Sequence, residues 1–160
     1  TLGDWADHLT TIFPEARVKK FIEMRGADGG PWRRLCALPA FWVGLCYDQT
    51  SLDAAWDLVK GWDAETRENL RIAASQNGLN ASVEGINLSN VAKEVVALAH
   101  HGLEARERQG ANGLLANETH FLNALHDTLA SGKSPADELV DLYNTEWQQD
   151  VAQIFDAMSY

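Results

Sequence analysis

One short segment, residues 16–25, has the pattern of a β-strand in a chain whose other patterns are almost all helical. It ends at residues 26–31, a loop dense in Gly and Pro. A strand must pair its backbone N–H and C=O groups with a neighbouring strand. No later segment predicts such a neighbour. We therefore expect this strand to pair with chain that lies outside this sequence, or with a second subunit.

The remaining segments carry apolar residues at helical spacing between recognisable start and stop signals. Thr50 and Asp53 form a capping pattern, Gly132 is typical of a helix end, and Ser134 followed by Pro135 is typical of a helix start. These signals predict a mainly α fold with about seven helices and one motif strand. We expect one piece over residues 1–160. Residues 1–47 would hold the strand, the glycine loop and a buried helix, and residues 48–160 would form a helical subdomain.

Charge and hydropathy exclude two classes of partner. The chain has 13 Lys and Arg against 23 Asp and Glu, a net charge of −10, which disfavours binding to nucleic acid or to anionic lipid. No apolar run approaches the roughly 18 residues that a membrane helix requires. The first residue is not Met, which suggests a piece of a longer protein.

Side chains alternate along a strand, so residues 16–25 would have two different faces. One face carries Val18, Lys20, Ile22 and Met24, is mainly apolar and can pack on a core. The other carries the charged residues Arg17, Lys19, Glu23 and Arg25. A carboxylate among cations suits a site where a divalent metal meets phosphate, since carboxylate oxygen binds Mg²⁺ and guanidinium neutralises a transferring phosphoryl group. The alternative from these residues alone is an exposed face with ordinary ion pairs.

The sequence FPEARVKKFIEMRGADGGPWRR at residues 13–34 resembles the plant and proteobacterial glutamate–cysteine ligases. The similarity continues through LCALPAFWVGL at residues 35–45, and it returns at residues 132–136 and 143–147. It covers essentially the whole chain. Members of that family are much longer, so the resemblance implies a C-terminal portion whose missing part precedes Thr1.

The resemblance implies an ATP- and Mg²⁺-dependent ligase that joins the γ-carboxyl of L-glutamate to the amine of L-cysteine through γ-glutamyl phosphate. This reaction is the first step of glutathione biosynthesis, and the family's α+β fold is similar to that of glutamine synthetase. Ile22-Glu23-Met24-Arg25 matches a superfamily strand pattern in which Glu binds a divalent metal and Arg contacts the transferring phosphate. Glu23 is therefore expected to bind the metal cofactor. Arg25 is expected to be catalytic and to contact the nucleotide.

Three further expectations follow from the resemblance. The protein would be cytoplasmic, or plastidic if it comes from a plant. The 160-residue chain by itself would be inactive, because most contacts to ATP, glutamate and cysteine would lie upstream. Its partner would be the missing N-terminal part of the same protein.

Two alternatives remain open at this point. The chain could be a free-standing helical interaction module whose strand pairs across a homodimer. It could also belong to a related ligase that activates a different carboxylate. Light scattering would detect the homodimer, and the longer match over residues 32–45 favours the glutamate–cysteine ligases over a related ligase.

Overall fold

The computed structural model describes residues 1–109 and 115–159 and is mostly helical, which confirms the coarse fold class. The helix start at Ser134 follows the predicted chemistry, because Ser134 and Asp137 form a capping box. The capping pattern predicted from Thr50 and Asp53 is wrong: the Asp48 carboxylate accepts the backbone N–H of Ser51 as the N-cap, so the helix begins at Gln49 and Thr50 lies inside it. Asp63 likewise accepts a hydrogen bond as the N-cap of a later helix. The described residues form eight α-helices: α1 (Leu2–Thr10), α2 (Trp32–Cys46), α3 (Gln49–Val59), α4 (Ala64–Asn77), α5 (Leu88–Ala105), α6 (Asn123–Ser131), α7 (Pro135–Asn144) and α8 (Gln153–Ala157).

The expectation of a single continuous strand over residues 16–25 is wrong. The segment folds back on itself as an antiparallel hairpin of β1 (Ala16–Val18) and β2 (Ile22–Met24), in which Arg17 lies opposite Glu23. The turn residues 19–21 are Lys-Lys-Phe and lack the Gly, Asn or Asp that usually marks a hairpin turn. The strand therefore finds its partner within the chain, which removes the reason for pairing across a homodimer.

Two more hairpins lie in stretches for which the sequence predicts no strand. One pairs β3 (Ser82–Val83) with β4 (Ile86–Asn87), and its two turn residues, Glu84 and Gly85, both have positive φ. That turn chemistry is common in two-residue hairpins. The other pairs β5 (Arg108–Gln109) with β6 (Leu115–Ala116). All three sheets in the described residues have two strands.

The core lies where α2 crosses α5, the most extensive helix pair among the described residues. Gly44 of α2 and Gly102 of α5 meet backbone to backbone, and Leu103 and Leu122 beside them are fully buried. The buried stripe of α2 consists of Ala37, Ala40, Gly44 and Leu45. This packing crosses the proposed division between residues 1–47 and 48–160, and that division stays a prediction.

The expected burial of α2 is incomplete, because Trp32 in its first turn is 73% exposed. The apolar side of the hairpin is also exposed: 81% of Val18 and 65% of Ile22 are accessible, so these two side chains do not pack on a core formed by the described residues. Helix α1 has no buried residue. Among the described residues, no helix is long and apolar enough to cross a membrane.

Candidate functional site

The β1–β2 hairpin gathers the four predicted charged residues on one face. Arg17 places Nε and Nη2 each 2.9 Å from Oε2 of Glu23. The Nζ atom of Lys19 lies 3.6 Å from the same oxygen, and Nη1 of Arg25 lies 3.3 Å from Oε1. Both carboxylate oxygens of Glu23 therefore contact cations.

This grouping survives the error in the strand prediction for a geometric reason. The hairpin pairs odd-numbered residues with odd-numbered ones, as Arg17 with Glu23, and even-numbered with even-numbered, as Val18 with Ile22. Cross-strand partners point to the same face. Odd-numbered side chains therefore share one face of this hairpin, just as they would share one face of a single continuous strand.

Arg25 is held from both its backbone and its side chain. Its backbone N–H donates to the carbonyl oxygen of Glu15 at 2.8 Å, which extends the hairpin ladder by one residue. Its guanidinium carbon lies 4.8 Å from the ring centroid of Phe13, within the range of a cation–π contact. The sequence does not predict the aromatic contact, although Phe13 stands in the segment that carries the family resemblance. Only the fold of residues 13–25 brings the ring under the guanidinium.

The cluster is cationic in a chain that is acidic overall. Arg17, Lys19 and Arg25 surround one carboxylate, and the side chains of Arg17, Arg25 and Glu23 are only 18–30% exposed. The hydrogen bond from Arg17, together with the positive charge of all three neighbours, lowers the pKa of Glu23. Glu23 is therefore ionised at neutral pH, and the excess positive charge favours an anionic ligand.

A divalent metal fits this cluster only in company with other ligands. Within the described part of the chain, no group of three or more His, Cys, Asp or Glu is placed to hold a metal ion. Magnesium is commonly bound through one or two carboxylates together with substrate phosphates. Glu23 can supply one such oxygen, and the surrounding cations match phosphate rather than a bare cation.

Two adjacent arginines, Arg33 and Arg34, lie outside this cluster. Arg33 pairs with Asp127 of α6 at 2.9 Å, and Arg34 pairs with Glu138 of α7 at 2.7 Å. Both arginines thus connect the first turn of α2 to later helices. Their contacts support a structural role within this chain.

The glycine loop after the hairpin borders a mostly apolar cleft of about 560 Å³ between α2, α5 and α6. Residues 27–29 form one wall, and Leu38, Phe41, Val95 and Leu125 line the interior. The sequence carries no signal for this cleft, because its walls come from segments far apart in the chain.

Comparison with known proteins relates the chain to one family over nearly its full length. The family model described as "Glutamate-cysteine ligase family 2 (GCS2)" matches residues 1–157. The chain is 48% identical over 160 residues to "Glutamate--cysteine ligase, chloroplastic" of Medicago truncatula, covering all of this chain and 30% of that protein. It is also 48% identical to the proteins of that name from Nicotiana tabacum, over 160 residues, and Arabidopsis thaliana, over 158 residues, covering 29% of each.

The chain thus spans about 30% of the length of these curated relatives and corresponds to their C-terminal portion. The match confirms the resemblance seen in residues 13–45. A free-standing interaction module is not favoured by such a match. The chain belongs to glutamate–cysteine ligase family 2.

Proposed function

We propose that this chain is the C-terminal part of an ATP-dependent ligase that joins the γ-carboxyl of L-glutamate to the amine of L-cysteine, in the first step of glutathione biosynthesis. The observation that carries the proposal is the face of the β1–β2 hairpin, where Arg25 and Glu23 stand among further cations. The names of the relatives support the choice of substrates.

The proposed chemistry follows from the poor reactivity of a carboxylate toward an amine. An oxygen of the glutamate γ-carboxylate attacks the γ-phosphorus of ATP, and ADP leaves. The product is γ-glutamyl phosphate, whose carbonyl carbon now bears a leaving group. The cysteine amine attacks that carbon, inorganic phosphate leaves, and the amine loses a proton as the amide forms.

Arg25 has the proposed catalytic role. Negative charge accumulates on the transferring phosphoryl group, and a preorganised guanidinium stabilises it. The Phe13 ring and the backbone bond to Glu15 limit the positions that Arg25 can adopt. Arg25 and Glu23 together are proposed to contact the nucleotide.

Glu23 is the proposed metal ligand of this chain. A bound Mg²⁺ would neutralise phosphate charge there, with Glu23 as one of several oxygen ligands. Its lowered pKa favours that role, because a metal ligand must be deprotonated. The remaining oxygens would come from the phosphates of ATP and from residues upstream of this chain.

The rest of the ligase is the proposed partner. Helix α1 has no buried residue, and the apolar side of the hairpin is open. Such surfaces on a chain that spans about 30% of its relatives support packing against further chain in a glutamine-synthetase-like α+β fold. We propose that the isolated chain is inactive. The plastid is the proposed compartment if the source is a plant, as the relatives' names state for them, and the cytoplasm otherwise.

ADP release is the decisive measurement, made on the protein with its upstream reading frame restored. With ATP and Mg²⁺, we expect ADP release that requires both glutamate and cysteine. Other carboxylates in place of glutamate serve as the specificity control, and the 160-residue chain serves as the inactive control. Folded full-length protein that releases no ADP in response to the two amino acids would contradict the proposal. A preference for another carboxylate would identify a related ligase instead.

A further inference from the structure

We propose that Arg17 is a positioning residue of this site, which holds the Glu23 carboxylate so that Arg25 can leave it and contact the transferring phosphoryl group. This inference rests on the proposed function, because it assigns different roles to Arg17 and Arg25 within the same cluster. Neither the family match nor the names of the relatives gives Arg17 a role.

The proposal rests on a difference in length and number between the contacts that Arg17 and Arg25 make to Glu23. Arg17 reaches one oxygen through two nitrogens, Nε and Nη2, each at 2.9 Å. Arg25 reaches the other oxygen through a single nitrogen at 3.3 Å. Charge-assisted N–H···O bonds of full strength are about 2.7–2.9 Å long. Arg17 is therefore the stronger partner, and Arg25 is the one that an incoming anion can draw away.

The position of Arg17 is set by the fold. It lies directly opposite Glu23 in the hairpin register, and its side chain is only 18% exposed. Its Nη1 also points toward the carbonyl oxygen of Thr10 at the end of α1, at 3.5 Å. The guanidinium thus lies between helix α1 and the hairpin. Lysine could not reproduce this arrangement, because its ammonium is a compact point charge without the planar fork of arginine.

Loss of Arg17 would change the neighbours of Glu23. Arg25 and Lys19 would remain as its cations, at 3.3 and 3.6 Å. Glu23 would then hold Arg25 more firmly, and Arg25 would be less available to the phosphoryl group. The carboxylate would also lose the contact that fixes its orientation. Removal of Arg17 should therefore impair the functions proposed for Glu23 and for Arg25 without Arg17 touching a substrate.

The test uses the full-length enzyme and the variant Arg17→Ala. Residues that orient a metal ligand typically contribute about 10- to 100-fold to metal affinity or activity. We expect losses in that range both in kcat and in the affinity for Mn²⁺ in the presence of ADP, with the metal followed by its electron paramagnetic resonance signal. Arg71→Ala is the matched control, because Arg71 makes a two-nitrogen contact to Glu68 on the exposed side of α4. It should leave both quantities unchanged.

A double-mutant cycle separates positioning from direct contact. In the Glu23→Gln background, Arg17→Ala should cost much less than it costs in the wild type, since its effect passes through the Glu23 carboxylate. The same loss in both backgrounds would overturn the proposal and indicate that Arg17 contacts a substrate directly. Wild-type kcat and Mn²⁺ affinity in Arg17→Ala would also overturn it.

Arg17→Lys covers the case in which the alanine variant does not fold. It keeps one positive charge but lacks the fork, so we expect a stable protein with a reduced kcat and weaker Mn²⁺ binding. Full activity in Arg17→Lys would show that charge alone suffices and would contradict the positioning role. Failure of the proposed function is distinct, since wild-type protein would then release no ADP in response to glutamate and cysteine.

Discussion

The crossing of α2 and α5 and the β1–β2 hairpin are stabilised in opposite ways. At the crossing, two glycine backbones touch and fully buried leucines surround them. In the hairpin, the backbone register pairs only three residues on each strand, the charged side chains of one face meet at Glu23, and Val18 and Ile22 on the other face are exposed. The helix crossing is packed by residues of this chain, whereas the hairpin has apolar surface that the part of the chain described by the structure does not cover.

Because of this difference, we expect the helix crossing to determine the stability of the chain and the hairpin to determine its activity. The residues with the strongest case for catalysis, Glu23 and Arg25, lie in the hairpin, where their side chains are partly exposed. Packing against α5 holds α2 in place, and α2 begins right after the glycine loop that follows Arg25. Substitutions in the crossing should therefore alter folding, and substitutions on the charged face of the hairpin should alter activity.

The largest expected effect is at the crossing. A Cβ at Gly102 would overlap the carbonyl oxygen of Gly44, so Gly102→Ala must push the two helices apart. We expect a loss of about 3 kcal/mol in the free energy of unfolding, at the upper end of the usual cost of overpacking, measured with urea. Gly61→Ala is the control, because a Cβ added at Gly61 would have no neighbouring atom within 4 Å. A Gly102→Ala chain as stable as the wild type would show that the crossing can loosen at little cost.

The second effect should fall on activity alone. Arg25→Ala in the full-length enzyme should lower kcat about 10²- to 10³-fold, as expected when a preorganised charge is removed. Its thermal midpoint should stay close to that of the wild type, because the contacts of the Arg25 side chain to the described residues are one long ion pair with Glu23 and one aromatic contact with Phe13. Arg33→Ala, which breaks an exposed pair with Asp127, should retain activity. Near-wild-type turnover in Arg25→Ala would refute its assignment.

A smaller effect is expected at the start of α7. The Ser134 hydroxyl accepts the backbone N–H of Asp137, and the Asp137 carboxylate accepts the N–H of Ser134 in return. Ser134→Ala should lower the free energy of unfolding by about 1 kcal/mol. Ser75→Ala is the comparison, since the Ser75 hydroxyl bonds only to a carbonyl of its own helix. Equal stability of the two variants would mean that this cap contributes nothing measurable.

The smallest effect concerns pH. The backbone N–H of Thr66 donates to the Asp63 carboxylate at 2.8 Å, and this hydrogen bond lowers the pKa of Asp63 below the ordinary value of 3.8. Its contribution to stability is therefore complete above that value and is lost as pH falls through the lowered pKa. Asp63→Asn keeps a capping side chain but cannot titrate. The variant should lose less stability than the wild type between neutral pH and acid, measured by urea midpoints. Parallel curves would exclude Asp63 as a source of acid sensitivity.

The helical part of the fold is predictable because its signals are local. Capping residues such as Ser134 and the glycine at position 132 act within a few residues, and their predicted roles match the structure. The hairpin turn at residues 19–21 is not predictable from its residues. Lys-Lys-Phe has no turn preference, and its strand-like alternation continues through the turn.

The candidate site is predictable as a set of residues but not as a set of contacts. Alternation places Arg17, Lys19, Glu23 and Arg25 on one face, and the family resemblance singles out Glu23 and Arg25. The two-nitrogen contact of Arg17 and the ring of Phe13 under Arg25 depend on the chain reversal. Their distances follow from strand register and from the path of residues 10–15, which neither alternation nor motif specifies.

The amino-acid sequence by itself determined the helical character of the chain, its family and the chemical types gathered on the hairpin, because these depend on local spacing and on identity with relatives. Tertiary structure alone decided which cation holds Glu23, how closely Gly44 approaches Gly102, and which apolar faces stay open. Those outcomes depend on contacts between residues distant in sequence or across a turn. Their energies arise only when the backbone has brought the partners within a few ångströms of each other.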